Sequence, residues 1–157
     1  MLNPYLVKKQ ENIQREKLKE LAQDRYIIAT AISETDATDV FIYDPITDGR
    51  YIVETKSYNN PQYPRFSTKF KDYQIDWNKL YAVKEKAHKK GCKPLLMAFF
   101  TNELVVWDLD KSKWEDTKKI IPTNKEGLNY GKKEKSPQAY LYFEDAIYRN
   151  KEINYLN

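Results

Sequence analysis

Apolar residues recur along the chain with two different periods, which predict an alternation of helices and strands. From Pro4 to about Asp24, leucines and isoleucines return at roughly helical spacing among many charged residues, so we expect an N-terminal helix. Tyr26–Ile32 has the short, β-branched composition of a strand. The polar residues 33–38 then predict a loop.

A hairpin is predicted next. Asp39–Tyr43 and Tyr51–Lys56 have the composition of strands, and the residues between them form a turn rich in Asp, Pro and Gly. Residues 57–71 contain two prolines and two asparagines, which predicts a loop.

A long helix is expected from about Asp72 to Lys90, because Gly91 is a typical helix stop. Its inner stripe would consist of Leu80, Val83 and Ala87. Two short apolar strands should follow, at Leu95–Phe100 and Leu104–Trp107.

The remainder of the chain has a weaker pattern. Residues 111–137 are polar and rich in lysine, residues 139–143 predict a short strand, and a short helix is expected from about Glu144. The order α-β-β-β-α-β-β predicts a central mixed β-sheet flanked by helices, in the α/β or α+β class. A length of 157 residues suits one domain spanning residues 1–157.

Composition narrows the functional classes only modestly. Twenty-seven basic and 23 acidic residues give a net charge of +4, which allows a polyanionic partner without establishing one. The single cysteine, Cys92, excludes an intrachain disulfide and a cysteine-based metal cluster. Together with the absence of a long apolar segment, it predicts a cytoplasmic protein without a membrane partner. The abundance of Lys, Asn, Ile and Tyr is typical of an AT-rich genome, such as that of a low-GC bacterium or its phage.

Two charges interrupt the third predicted strand. Glu54 and Lys56 are one residue apart, so the twofold period of a strand places both on one face. Charges on a strand that is otherwise apolar are costly unless they have a function. A Glu-x-Lys triplet is expected by chance at this composition, however, so the triplet alone is weak evidence.

The register of the hairpin decides whether Glu54 and Lys56 have a second acid beside them. Asp39 lies opposite Glu54 in one register and opposite Lys56 in another that is shifted by two residues, and in both it shares their face. In the register between these two it lies on the other face. Two converging carboxylates would form an oxygen-rich site for Mg²⁺ or Mn²⁺. A lysine beside such a site can orient or deprotonate water, or balance charge on a phosphoryl oxygen.

The segments "DVFIY" and "GRYIVETKSY" resemble the core motif of the PD-(D/E)XK, or restriction-endonuclease-like, nuclease superfamily. Residues 73–100 are similar to the pattern that follows this motif in Holliday-junction-resolvase-like members, where a glutamine opens a helix that ends at glycine and an apolar strand follows. The resemblance covers about residues 10–110. We expect residues 111–157 to be a C-terminal extension that packs on this core.

The resemblance implies a Mg²⁺-dependent nuclease that hydrolyses phosphodiester bonds, in DNA rather than RNA, with Mn²⁺ able to substitute and a homodimer allowed. It assigns the metal ligands to Asp39, Glu54 and the carbonyl of Thr55, and the catalytic lysine to Lys56. It also places Gln74 beside the cluster. A further acid on the first helix is assigned to Glu16, with Glu20 next.

Some positions depart from the pattern or have ordinary alternatives. Thr38 stands before Asp39 where the family often has proline, and Asp36 and Asp44 compete for the role of first acid. Asp44 precedes Pro45 in a turn signature, which favours a role in forming the turn. We expect His88 to be a surface residue and Cys92 to have no catalytic role.

Ordinary alternatives also exist for the predicted cluster. Glu54 and Lys56 could form an exposed ion pair on an edge strand, and Asp39 could be a loop acid at the start of a strand. Gln74 could be only a polar residue in the first turn of a helix, and Glu16 only a solvated one.

Candidate nucleic-acid contacts lie in the loop after the motif, at Tyr58, Arg65, Lys69 and Lys71. The aromatic residues Tyr58, Tyr63 and Phe66 could stack on bases or pack the loop onto the domain. The basic run at Lys84–Lys93 is either a solvated helix face or a second surface for the nucleic-acid backbone. Two alternative functions stay open, namely a catalytically inactive nucleic-acid-binding or assembly module with the same fold, and a structural protein that binds only protein partners.

Overall fold

A computed structural model describes residues 27–30, 39–124 and 133–150. The predicted N-terminal helix, with Glu16 and Glu20, and the predicted loop that contains Asp36 lie outside the described residues.

Six strands form the larger sheet, in the order β1-β2-β3-β5-β6-β9. Strands β3 and β5 pair in parallel, and all other neighbours in this sheet are antiparallel. The strands are β1 (Ile27–Thr30), β2 (Asp39–Asp44), β3 (Gly49–Tyr58), β5 (Lys93–Phe100), β6 (Glu103–Asp108) and β9 (Tyr148–Asn150).

A smaller antiparallel sheet and one helix complete the described fold. The small sheet has the order β4-β8-β7. Its strands are β4 (Asp72–Asp76), β7 (Lys119–Asn124) and β8 (Lys133–Tyr142), and the helix α1 spans Trp77–Lys89. Short 3₁₀ helices lie at Phe66–Thr68, Trp114–Thr117 and Phe143–Asp145. The predicted mixed α/β class is therefore confirmed, and no described helix is long and apolar enough to span a membrane.

The prediction of one long helix from Asp72 was wrong in its first five residues, which form β4. In this strand Ile75 is buried and Tyr73 packs against the same core, while Gln74 between them is exposed, so the segment alternates as a strand does. The helix begins only at Trp77, because the Asp76 side chain accepts hydrogen bonds from the backbone N–H groups of the next turn and caps it.

The end and inner face of α1 follow the prediction. Leu80, Val83 and Ala87 are buried. Gly91 has a positive φ of 67°, and the N–H of Cys92 donates to the carbonyl of Ala87 over 2.8 Å, which closes the end of the helix.

The predictions for the C-terminal third were less successful. The expected short strand is part of the ten-residue β8, and the expected helix from Glu144 is a single 3₁₀ turn. Strand β7 was missed, since its described side chains are exposed or half-buried and show no apolar alternation. Residues 133–150 supply β8 to the small sheet and β9 to the large sheet.

The large sheet carries a buried apolar cluster on each face. On one face α1 and the small sheet pack over Ile52, Leu96 and Phe100. The cluster on the other face consists of Val40, Ile42, Val53, Leu95, Phe99, Leu104 and Val106. Strand β3 contributes to both clusters, so it lies in the interior of the fold.

The loop between β3 and β4 is fastened to the turn between β5 and β6. The buried carboxylate of Glu103 accepts hydrogen bonds from the N–H of Ser67, at 2.9 Å, and from its hydroxyl. The N–H of Asn102 donates to the carbonyl of Pro64 over 2.8 Å. Phe66 stacks on Phe100 with ring centroids 4.9 Å apart. The loop therefore has a defined conformation relative to the sheet.

We expect Glu103→Ala to lower the free energy of unfolding by about 3 kcal/mol, because it leaves two donors of Ser67 without their buried acceptor. Ser67→Ala removes one of the two hydrogen bonds and should cost about 1 kcal/mol. Urea denaturation measures both changes. The exposed Glu144→Ala is the control and should change stability by less than about 0.5 kcal/mol. A Glu103→Ala protein as stable as this control would contradict the anchoring role.

Candidate functional site

The hairpin register places Asp39 directly opposite Glu54. This is one of the two registers that the metal-site hypothesis requires, because directly opposed positions of an antiparallel pair share a face. Position 39 is the first residue of β2, so the pairing with β2 ends at Glu54, whereas β3 continues to Tyr58 alongside β5.

Strand β3 is not an edge strand, since β2 and β5 flank it. The alternative of an exposed ion pair on an edge strand was therefore wrong. Glu54 is only 1% exposed, although it is an acid in the middle of the sheet. It lies on the face that α1 covers, along with Ile52 two residues earlier.

Lys56 accompanies the buried carboxylate. Its Nζ lies 3.6 Å from Oε1 of Glu54, and the side chains are 24% and 2% exposed, respectively. The site therefore has a buried acid and a half-buried base that reaches toward solvent on one sheet face. A carboxylate this far from water needs a nearby cation or bound donors to remain charged.

Desolvation by burial lowers the pKa of Lys56, and the neighbouring ammonium of Lys79 lowers this pKa further, while Glu54 acts in the opposite direction. Lys79 comes from the first turn of α1. Two lysines from different elements therefore lie close together, and one of them, Lys56, pairs with the buried carboxylate.

Lys79 was missed in the sequence because the helix was expected to begin five residues too early. Asp76, which resembles an N-cap and precedes the periodic stretch, was the available signal. A start at Trp77 places Lys79 in the first helical turn, next to the strand that carries the motif.

The oxygen donors suit a hard divalent cation better than a soft one. Glu54 supplies a carboxylate, and the register supplies a second acidic position at Asp39. The Thr55 carbonyl stays a predicted ligand. Within the described ranges, no group of three or more His, Cys, Asp or Glu side chains is arranged to hold a metal ion. Glu16, the further acid that was predicted, lies outside these ranges.

Gln74 lies apart from the pair. It is in β4, and its amide Nε2 donates to Oε1 of Gln138 over 3.2 Å. The contacts of the described residues do not join Gln74 to Glu54 or Lys56. Asp44, the rival first acid, caps the hairpin turn, because its carboxylate accepts from the N–H of Ile46 at 3.0 Å and from the Thr47 hydroxyl at 2.9 Å.

The predicted nucleic-acid contacts lie beyond the carboxyl end of β3. Arg65, Lys69 and Lys71 are exposed, and Tyr58 is 43% exposed. Tyr58 packs edge-on against Phe66, at 5.4 Å between ring centroids. The aromatic residues of the loop thus pack it onto the domain, while its basic residues face solvent.

The predicted surface position of His88 is confirmed. His88 is on the surface, where its Nε2 lies 2.7 Å from Oδ1 of Asp110, and Cys92 is buried with a free thiol.

Comparison with models of known protein families and with curated proteins gives no match.

We expect Glu54 and Lys56 to be strongly coupled in a double-mutant cycle. Lys56→Met alone should lower the free energy of unfolding by about 3 kcal/mol, since it leaves a buried carboxylate without this lysine. The double variant Glu54→Gln/Lys56→Met should cost less than the sum of the single changes, by at least about 1 kcal/mol. Urea denaturation of the four proteins measures the coupling.

The matched control is the pair of Arg50 and Asp48, which are 3.8 Å apart with side chains 56% and 71% exposed. Its coupling should stay below about 0.5 kcal/mol. A coupling between Glu54 and Lys56 no larger than this would mean that burial does not strengthen the ion pair.

Proposed function

We propose that the protein is a metal-dependent nuclease that hydrolyses phosphodiester bonds, in DNA rather than RNA. The observation that carries this proposal is the register of β2 and β3, which pairs Asp39 with the buried Glu54, two residues before Lys56. An acid opposite a buried acid, with a lysine on the same face, is the arrangement that the chemistry requires. The preference for DNA comes from the resemblance of residues 39–58 to the PD-(D/E)XK motif.

The strand order supports a restriction-endonuclease-like core. The antiparallel strands β1, β2 and β3 are followed by a crossover through α1 to the parallel strand β5. This crossover brings the first turn of α1 beside the motif-bearing strand. The order alone does not specify a function, and the site residues carry the functional part of the proposal.

Asp39, Glu54 and the Thr55 carbonyl would hold Mg²⁺, with Mn²⁺ able to substitute. When bound, the cation would act as a Lewis acid on the phosphoryl group and lower the pKa of water. The chain's own contribution is to hold two acids in fixed register, because each backbone belongs to a hydrogen-bonded sheet.

Lys56 would act on the reacting phosphate from the same strand. As an ammonium it would balance the negative charge that builds on a phosphoryl oxygen, and as an amine it would take a proton from the attacking water. Lys79 adds a second positive charge on the same side. Lys56→Arg separates the two roles, since a guanidinium retains the charge but does not give up its proton.

We place this activity in the cytoplasm, as the single cysteine suggests. The homodimer that the resemblance allows stays a prediction, as do the roles assigned to Gln74 and Glu16.

We expect Glu54→Gln and Lys56→Met each to lower the rate of Mg²⁺-dependent DNA cleavage by about 10²–10³-fold, because each removes a group that acts on the reacting phosphate or on its metal. Single-turnover cleavage of a labelled duplex measures the rate. Circular dichroism should show that both variants are folded, and both should still bind DNA in EDTA.

Glu85→Gln and Lys89→Met are the matched controls, because they make the same chemical changes at exposed positions of α1. They should cleave at the wild-type rate. Cleavage by Glu54→Gln or Lys56→Met at the rate of these controls would refute the assignment. Wild-type protein that binds DNA but does not cut it with Mg²⁺ or Mn²⁺ would instead favour the inactive binding module.

A further inference from the structure

A cleft opens in the loop after the motif, where this loop meets the turn between β5 and β6. Its volume is about 510 Å³. The residues that line it are Gln62, Tyr63, Pro64, Arg65, Thr68, Lys69 and Asn102.

The lining is polar and positively charged. Arg65 and Lys69 are both exposed, and neither forms an ion pair with a carboxylate in the part of the chain that the structure describes. Glu103 follows Asn102 in the turn between β5 and β6, but its buried carboxylate accepts hydrogen bonds from Ser67 and not from Arg65 or Lys69. The cleft therefore presents two cations and several amide and hydroxyl groups to solvent.

The backbone that carries these cations is held in place. The carbonyl of Arg65 accepts from the N–H of Thr68 at 3.1 Å and from its hydroxyl at 2.7 Å. The N–H of Lys69 donates to Phe66 over 3.1 Å, and Asn102 is bonded to Pro64 across the cleft. Arg65 and Lys69 thus belong to a loop with an ordered backbone, and this order reduces the conformational entropy that is lost when an anion binds.

The cleft lies in the loop that follows the strand of the proposed nuclease site. Strand β3 carries Lys56 near its carboxyl end and leads directly into this loop. Tyr58, the last residue of β3, packs against Phe66 of the loop, with ring centroids 5.4 Å apart.

We propose that this cleft binds backbone phosphates of the substrate strand on one side of the bond that is cut, with Arg65 and Lys69 as the phosphate contacts. The inference rests on the proposed function for the identity of the substrate. It adds the position of a second contact site, and it assigns a direction to the bound strand, from the Glu54–Lys56 pair past the carboxyl end of β3.

The test is DNA binding in the absence of metal, measured by fluorescence anisotropy with a labelled duplex in EDTA at several KCl concentrations. Arg65→Gln/Lys69→Gln should raise Kd about tenfold and reduce the slope of log Kd against log salt by about 2, one contact per side chain. Both side chains are exposed, so circular dichroism and thermal unfolding should be unchanged.

Lys89→Gln/Lys90→Gln is the matched control for net charge. These two lysines are exposed and lie at the end of α1 that leads into the amino end of β5, opposite the cleft. The control should retain nearly the wild-type Kd and slope. If the control loses as much DNA affinity as the cleft variant or more, the proposal is overturned, and the basic run at 84–93 becomes the better candidate for the DNA-binding surface.

The charge-exchanged variant Arg65→Lys/Lys69→Arg should bind DNA with nearly the wild-type slope, because it retains both charges. A folded charge-exchanged protein that binds DNA as weakly as Arg65→Gln/Lys69→Gln would overturn the proposal. So would a second result, in which Arg65→Gln/Lys69→Gln keeps the wild-type affinity for DNA but inorganic phosphate no longer competes with the DNA. In that last case the cleft would hold a free anion instead of a strand.

The two proposals fail in different assays. If the nuclease assignment is wrong, wild-type protein does not cut DNA, yet the cleft variants still weaken its binding relative to the control pair. If only the cleft assignment is wrong, wild-type protein cuts DNA and Lys56→Met slows cutting, but the cleft pair and the control pair affect binding equally.

Discussion

A carboxylate buried in the middle of a β-sheet is the constraint on which the rest of this site depends. Glu54 is 1% exposed in a strand with neighbours on both sides. Its surroundings must supply positive charge or hydrogen bonds, because an ionised acid in an apolar interior is strongly disfavoured. Lys56 from the same strand supplies positive charge, and Lys79 from the following helix acts on Lys56 in turn. The helix that covers the sheet therefore influences the charge of this pair.

A second buried glutamate shows what a purely structural solution looks like. Glu103 is fully buried, and its carboxylate accepts two hydrogen bonds from Ser67. These hydrogen bonds from one loop stabilise its negative charge. Glu54 also has a lysine at 3.6 Å and an acidic position directly across the hairpin. An ion pair of this kind contributes little net stability compared with apolar residues of similar size.

Glu54 and Glu103 act on consecutive parts of the chain. Strand β3 carries Glu54 and Lys56 and continues into the loop that Glu103 holds in place. The same anchoring that orders this loop also fixes Arg65 and Lys69 at the rim of a cleft. A rigid sheet thus supports the pair of Glu54 and Lys56, and an ordered loop extends from this sheet with an exposed positive surface. This division is common in enzymes, where a scaffold positions loops that bind the substrate.

The sequence by itself determined the local elements that have a strong apolar period. The hairpin around Asp44, the inner stripe of α1 and its stop at Gly91 were all predicted, since each depends on neighbouring residues only. The placement of Glu54 and Lys56 on one strand face was likewise fixed by a spacing of two residues. These features need no knowledge of distant contacts.

Tertiary structure decided the rest. The sequence left three hairpin registers open, and strand pairing selected the one that sets Asp39 against Glu54, because a shift of one residue would turn every apolar side chain to the wrong face. Pairing with β8 made Asp72–Asp76 a strand, although the sequence favoured a helix there, and this delayed start of α1 brought Lys79 to the site. Strand β7 had no apolar signal, since an edge strand with exposed side chains is specified by its partner's hydrogen bonds and not by burial.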